Sequence, residues 1–426
     1  MPHALDGLKV LDFSTLLPGP YATMILADMG AEVLKVSSKD RYDLVVNWPP
    51  VIPGTEVTGA QAWLGRNKKT IYLNLKKPKA VEAVKKLVKE YDIVVEQFRP
   101  GVMKKLGIGY EELRAVNPRL IYCAITGYGQ NGPFSKKAGH DINYLARSGV
   151  AFAAGRKQGG PSLYNFQIAD VAGGSMNAVC GILAAVYCRE RTGKGQFIDI
   201  SMQDCVVPFN SMDGASFFAG GALPERESGL LDGGGIYDYY ETSDGGYMSV
   251  GSLEPKFFAA LCKGLGKPEW SDGAVLRTKE GTEEAKETFR SIFRTRTRDE
   301  WTEVFRELDA CVEPVMSLEE VTRDPHLNAR GMWPEVEVPV SGSRNTGDGN
   351  AGAGNAGTEA ARAGNSGTEA AGAGYAETVR ITQMGNPLHL SECPPRYDHA
   401  GFPEGYHTEA VLAGLGYSAA EIEEMI

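Results

Sequence analysis

Over the first 200 residues, short apolar runs alternate with stretches that carry apolar side chains on one helical face. LKVLDF (8–13) reads as a buried strand, and PYATMILADMG (20–30) as a helix ended by Gly30. AEVLKV (31–36) is a second strand. TIYLNL (70–75) precedes the helix PKAVEAVKKLVKEY, in which Val81, Val84, Leu87 and Val88 share one face. DIVVEQF (92–98), a helix near 110–116 and RLIYCAITGYG (119–129) continue the alternation. A strand–helix–strand series with short connections predicts an α/β fold, with a mostly parallel sheet covered by helices. Such sheets bind ligands beyond the carboxyl ends of their strands. That places Arg99, residues 127–132 and LLPGP (16–20) beside a candidate site.

Farther along, a helix rich in small apolar residues is expected over 170–191, stopped at Gly193, with GQFIDISM (195–202) as the next strand. Residues 1–200 form the first part of a large domain and 201–229 a linker. Residues 230–335 form a smaller α+β unit, with a hairpin in YDYYETSDGGYMSVGS turning at Asp244-Gly245, then the helix PKFFAALCKGL. A second linker covers 336–380, and helices in HTEAVLAGLG and SAAEIEEM close the chain over 381–426. Within the second linker GNAGTEAARA is followed at once by GNSGTEAAGA, a near-repeat of ten residues. Two copies are too few for a solenoid, and so little apolar side chain cannot offset the entropy of ordering. Residues 341–375 are therefore expected to be a flexible surface insertion.

The length of 426 residues favours two domains, and 42% hydrophobic with 23% charged residues is the composition of a globular protein. A net charge of −10 argues against a nucleic-acid partner. The seven cysteines lack C-x-x-C spacing, and several lie in apolar runs such as AVCGILAAVYC, so buried free thiols are expected rather than disulfides or a metal site. MPHALDGLKVLDF is not a signal peptide, no apolar run approaches the roughly 20 residues that span a bilayer, and EEMI is not a peroxisomal address. A cytoplasmic protein without a membrane partner is the expectation.

Three segments concentrate candidate chemistry: GHDINYLARSG, IADVAGGS and VGSLEPKFF. His140 is either an ordinary hydrogen-bonded histidine or a group that removes and returns a carbon-bound proton. Asp170 is either a helix N-cap or an active-site carboxylate, and the two are compatible. Gly173 and Gly174 would let a ligand approach backbone N–H groups able to hold developing negative charge. Glu254 either compensates a helix dipole or orients His140. Arg66, Lys68, Lys69 and Arg99 are either solvated charges or phosphate contacts. Neither a Walker loop nor a G-x-G-x-x-G follows the first strand.

These residues sit in segments that are recognisable. LDGLKVLDFSTLLPGPYATMILADMGAEVLKV, RNKKTIYLNLK, FRPGVMKKLGIGYEEL, NPRLIYCAITGYGQNGP and RTGKGQFIDISM resemble the class III CoA-transferase family. AGHDINYLARSG, LDGGGIYDYYETSDGGYMSVGSLEPKFF, DPHLNARGMW and HTEAVLAGLGYSAAEI narrow the likeness to its α-methylacyl-CoA racemases. The likeness covers nearly all of the chain outside 341–375. It implies a Rossmann-like large domain built from both chain ends, a smaller domain, and an interlocked homodimer whose active site lies between subunits. It implies an acyl-CoA substrate and no separate cofactor, since coenzyme A belongs to the substrate. His140 and Asp170 would act as two bases on opposite faces of an enolate, with Asp141 lining the site and Glu254 orienting His140. Lys35, Arg66, Lys68, Arg99 and Tyr128 are the expected coenzyme contacts. The chain reads KVSSKD after its second strand, where family members often carry an acidic residue or Arg. The alternative within the family is a CoA-transferase that uses Asp170 as a nucleophile, often with Tyr in place of His140. A catalytically silent CoA-binding protein is the alternative from another class.

Overall fold

The computed structural model describes residues 2–340 and 377–426. The insertion expected at 341–375 lies outside the described residues.

Six strands form the main sheet: β1 (Lys9–Asp12), β2 (Glu32–Ser37), β3 (Lys68–Tyr72), β4 (Ile93–Glu96), β5 (Ile121–Thr126) and β6 (Phe197–Ser201), in the order β3-β2-β1-β4-β5-β6. The pairs β1–β2, β1–β4, β2–β3 and β4–β5 are parallel. Every residue of β4 and β5 is buried, which is why these strands read as near-continuous apolar runs that turn polar only at their last residues, Glu96 and Thr126. The chain divides into two compact units: Met1–Ala124 with Val179–Ile198 and Gly331–Ile426, and Ile125–Ala178 with Asp199–Arg330. Residues 125–178 thus group with the second unit, not with the large domain expected over 1–200.

In the first unit, helices α1 (Pro18–Asp28), α2 (Gly59–Leu64) and α3 (Pro78–Val88) connect the strands. α3 buries Ala80, Ala83, Val84, Leu87 and Val88 against a core containing Leu34, Ile71 and Val94. The two C-terminal helices, Thr408–Gly414 and Ala419–Met425, close the same core through Leu412, Ile422 and Met425. Backbone hydrogen bonds from His407 to Thr70 (2.9 Å) and from Asn74 to Met425 (2.7 Å) tie this end of the chain to β3 and the loop after it. Both ends of the sequence therefore build one unit.

The second unit has its own core around Tyr240, Met248, Phe258, Phe289, Phe293 and Trp301. Asp238–Glu241 and Tyr247–Val250 form the expected antiparallel hairpin, and Gly245 takes the positive φ of 79° that its turn requires. The long helix begins as a π-helix over Ala169–Ser175 and continues as an α-helix over Met176–Thr192, ended by Gly193 at φ 72°. Its 24 residues are long and apolar enough to cross a membrane by length and composition, which inspection for an unbroken apolar run missed. Ala178, Val179, Ile182 and Ala185 are buried, and Arg189 pairs with Asp92 at 2.7 Å. All seven cysteines are free, but only Cys123 and Cys262 are buried. Cys180, Cys188 and Cys311 are exposed, correcting the expectation of uniformly buried thiols.

Candidate active site

His140 is the N-cap of a short helix, Asp141–Arg147, with extended backbone at φ −127° and ψ 174°. Its N–H donates to the side-chain oxygen of Asn143 at 3.0 Å, and the Asn143 N–H returns a bond to the His140 carbonyl at 2.8 Å. The Asn143 side chain thus supplies the N3 half of a capping box, three residues after the N-cap. The imidazole itself is exposed. Asp141, at the first helical position, turns the other way. Its Oδ1 accepts the N–H groups of Ala169 (2.6 Å) and Asp170 (3.0 Å), pinning the start of the π-helix to the residue beside His140. One carboxylate thereby joins two segments that lie about 30 positions apart in sequence.

Asp170 is largely withdrawn from solvent. Burial, and secondarily the charge of Asp141, push its carboxyl up from 3.8 to about 7. A group poised there can hold or release a proton near neutrality. Asp141 is itself raised, chiefly by burial, although the two N–H donors pull it back. Tyr144 is buried and stands edge-to-face with Tyr128, ring centroids 5.2 Å apart. His140, Asp141, Asp170 and Tyr128 are therefore neighbours of one small region of the second unit.

One expectation about this region changes. Gly173 and Gly174 are buried in the π-helix, and a Cβ on Gly173 would lie 2.8 Å from Cγ1 of Val206. Gly173 is needed for close packing against the helix Met202–Val206, not for ligand approach. Glu254 is the exposed N-cap of the helix Pro255–Gly264, its side chain makes no capping bond, and among the described residues none joins it to His140.

The expected coenzyme contacts separate sharply. Arg66 is fully buried. Its Nε and one terminal nitrogen bind both Asp28 oxygens at 3.0 and 2.6 Å, and the other terminal nitrogen donates to Gln383 and the Met384 carbonyl. Four of its five N–H donors are thus taken, and none of the group reaches solvent where a phosphate could meet it. Lys68 is also buried, donating to the Pro20 carbonyl (2.8 Å) and Thr23 (2.7 Å), with Asp12 at 3.6 Å. Burial lowers its pKa to about 7 even though Asp12 opposes the shift. Both lysine and arginine are interior struts, a correction to their reading as phosphate contacts. Lys35 lies 3.7 Å from Asp12, too far for a hydrogen bond, and is mostly buried. Burial alone would raise the Asp12 carboxyl, but Lys35, Lys68 and the hydroxyls of Ser14 and Thr23 outweigh it and hold it low. Arg99 is exposed, and its guanidinium has no partner among the described residues.

Beyond the carboxyl ends of β1, β2 and β3 lies a small cleft, lined in part by Thr15, Arg41, Leu73 and Phe98 and by the carboxylates Asp43 and Glu404. Arg41 donates to Thr15 at 2.8 Å and lies over the Phe98 ring, 4.6 Å from its centroid. Sequence reasoning passed over Arg41, although its place just after a strand in KVSSKDR was a usable signal.

The model of CoA-transferase family III matches residues 5–362. Human alpha-methylacyl-CoA racemase is 39% identical over 332 residues, covering 78% of this chain and 82% of that protein. Human succinyl-CoA:glutarate CoA-transferase is 34% identical over 343 residues, covering 79% and 77%. The crystal structure of a CAIB/BAIF family protein from Brucella suis superposes with a TM-score of 0.76 at 25% identity, covering 97% of this chain and all of that one.

Proposed function

Because the chain belongs to CoA-transferase family III, we propose that it is a racemase of 2-methylacyl-CoA thioesters working by 1,1-proton transfer. The observation that carries this reading is a carboxyl held near 7 by burial, linked through Asp141 to an exposed histidine. One of the two removes the α-proton, the C–H electron pair moves into the thioester, and its oxygen becomes an enolate. The other group returns a proton to the opposite face of the planar carbon. Neutral His140 with protonated Asp170 serves one direction, and protonated His140 with ionised Asp170 the reverse. Asp170 must exchange a proton near neutral pH for this cycle, and its burial supplies that property. The racemase relative at 39% identity supports the same assignment.

Arg41 and Arg99, rather than Arg66 and Lys68, take the phosphate role in this reading, because their guanidinium groups border open space at strand ends. The homodimer belongs to the proposal as well. Glu254 of the partner subunit would orient His140, which fits an exposed carboxylate with no histidine partner among the described residues. A second reading rests on the transferase relative and on the same carboxylate. Ionised Asp170 would attack an acyl-CoA carbonyl, expel coenzyme A thiolate and form a mixed anhydride. Incubating an (R)-2-methylacyl-CoA in deuterated water separates the two. α-Deuteration with loss of chirality is the expected result. Transfer of coenzyme A to a free acid without α-exchange overturns the racemase.

A further inference from the structure

Tyr144 is buried while Ile142 and Asn143, its neighbours on the same helix, face solvent. Its hydroxyl donates to the carbonyl of Gly139 at 2.6 Å, which is the peptide immediately before His140. Two glycines make room for the ring: a Cβ on Gly127 would meet it at 2.4 Å, and one on Gly139 at 2.7 Å. Tyr128 closes another side of the ring. A phenol wedged between two glycines and bonded to a carbonyl has almost no freedom. The His140 imidazole, in contrast, stands exposed at the end of its helix. Its direction is set by its backbone, held on one side by Asn143 and on the other by Tyr144.

We propose that Tyr144 is a positioning residue for His140: through the Gly139 carbonyl it fixes the peptide that aims the imidazole at the substrate α-carbon. The inference rests on His140 being one of the two bases proposed above. Burial, then the charge of Asp170, push the Tyr144 phenol well above its ordinary range, so it stays a donor throughout the working pH. Asp170 is held by a separate set of bonds, from its own and Ala169's N–H groups to Asp141. Loss of the Tyr144 hydroxyl therefore disturbs one base and spares the other.

Tyr144→Phe keeps the ring and removes only the hydroxyl. The measurement is α-proton exchange in deuterated water, followed separately for each enantiomer of a 2-methylacyl-CoA. Exchange of the enantiomer whose proton faces His140 should fall about tenfold in kcat, the loss of roughly one hydrogen bond, with KM changed less than about twofold. Exchange of the other enantiomer, with retention at the Asp170 face, should be unaltered. Gly139→Ala, which presses on the same ring, should show the same selectivity. Equal losses for both enantiomers, with or without a fall in Tm, or no loss for either, overturn the positioning role. Absence of exchange in the unsubstituted protein would instead sink the two-base reading, and this inference with it.

Discussion

Replacing Asp170 by Asn should make the folded protein more stable above neutral pH while abolishing proton transfer. Burial holds the Asp170 carboxyl at about 7 against an ordinary 3.8. Between those values the folded chain keeps a proton that the unfolded chain has lost. The carboxyl's contribution to stability is therefore fully present below about pH 4 and is lost as pH rises through about 7. A gap of roughly 3 units at about 1.4 kcal/mol per unit is about 4 kcal/mol, and partial solvent access lowers this to about 2 kcal/mol. Asn has nearly the same shape and cannot ionise, so it carries none of this pH dependence. Urea unfolding of both proteins between about pH 4 and pH 9 tests the reasoning. The two plots of stability against pH should diverge in the variant's favour up to about pH 7 and run parallel beyond it. A difference constant across the whole range would remove burial as the origin of the raised carboxyl. A wild-type protein that gains on the variant with rising pH would mean a depressed carboxyl, which cannot hold the proton that the reverse reaction needs.

Arg66→Ala should lower unfolding free energy by about 3–5 kcal/mol, because it strands the Asp28 carboxylate in a fully buried site. A shifted urea midpoint would show it, whereas weaker coenzyme binding at an unchanged midpoint would restore the phosphate role. Arg41→Ala should raise KM for the thioester by about fivefold to tenfold and leave kcat within about twofold, the loss of one charge-assisted contact. An unchanged KM would take the β1–β3 cleft out of the coenzyme site. Gly173→Ala should cost about 1–3 kcal/mol through overpacking against Val206. Full stability with altered kinetics would favour the ligand-approach role for that glycine. Glu254→Ala and Asp170→Ala chains, each inactive alone, should regain about a quarter of full activity when unfolded and refolded together, if each site draws on two chains. No recovery would place Glu254 outside the partner's site.

What could be read from the sequence, and what could not, follows from how far apart the interacting groups lie. β4 and β5 were legible because a strand buried on both faces is apolar over nearly its whole length, and that requirement is local. The Asp244-Gly245 turn and the Gly193 stop were legible because each needs a positive φ at one position. Arg66 and Lys68 misled for the opposite reason. GRNKK looks like a solvated basic patch, yet Asp28 precedes Arg66 by 38 residues. Only the parallel order β3-β2-β1 brings the partners together. No local pattern distinguishes an interior arginine from a surface one when its counter-ion comes from another strand or helix. The same distance hid the candidate site. The Asn143 cap on His140 lies within the three-residue reach of a local rule and could have been anticipated. The bonds from Asp141 to the start of the π-helix could not, because they depend on how residues 125–178 fold back on themselves. Resemblance singled out His140 and Asp170 without saying what holds them. The structure supplies two separate restraints, Tyr144 behind His140 and Asp141 behind Asp170. Both restraints run through the helix that His140 caps, so one short element sets the spacing of two bases that must keep opposite faces of the enolate while their protonation states change.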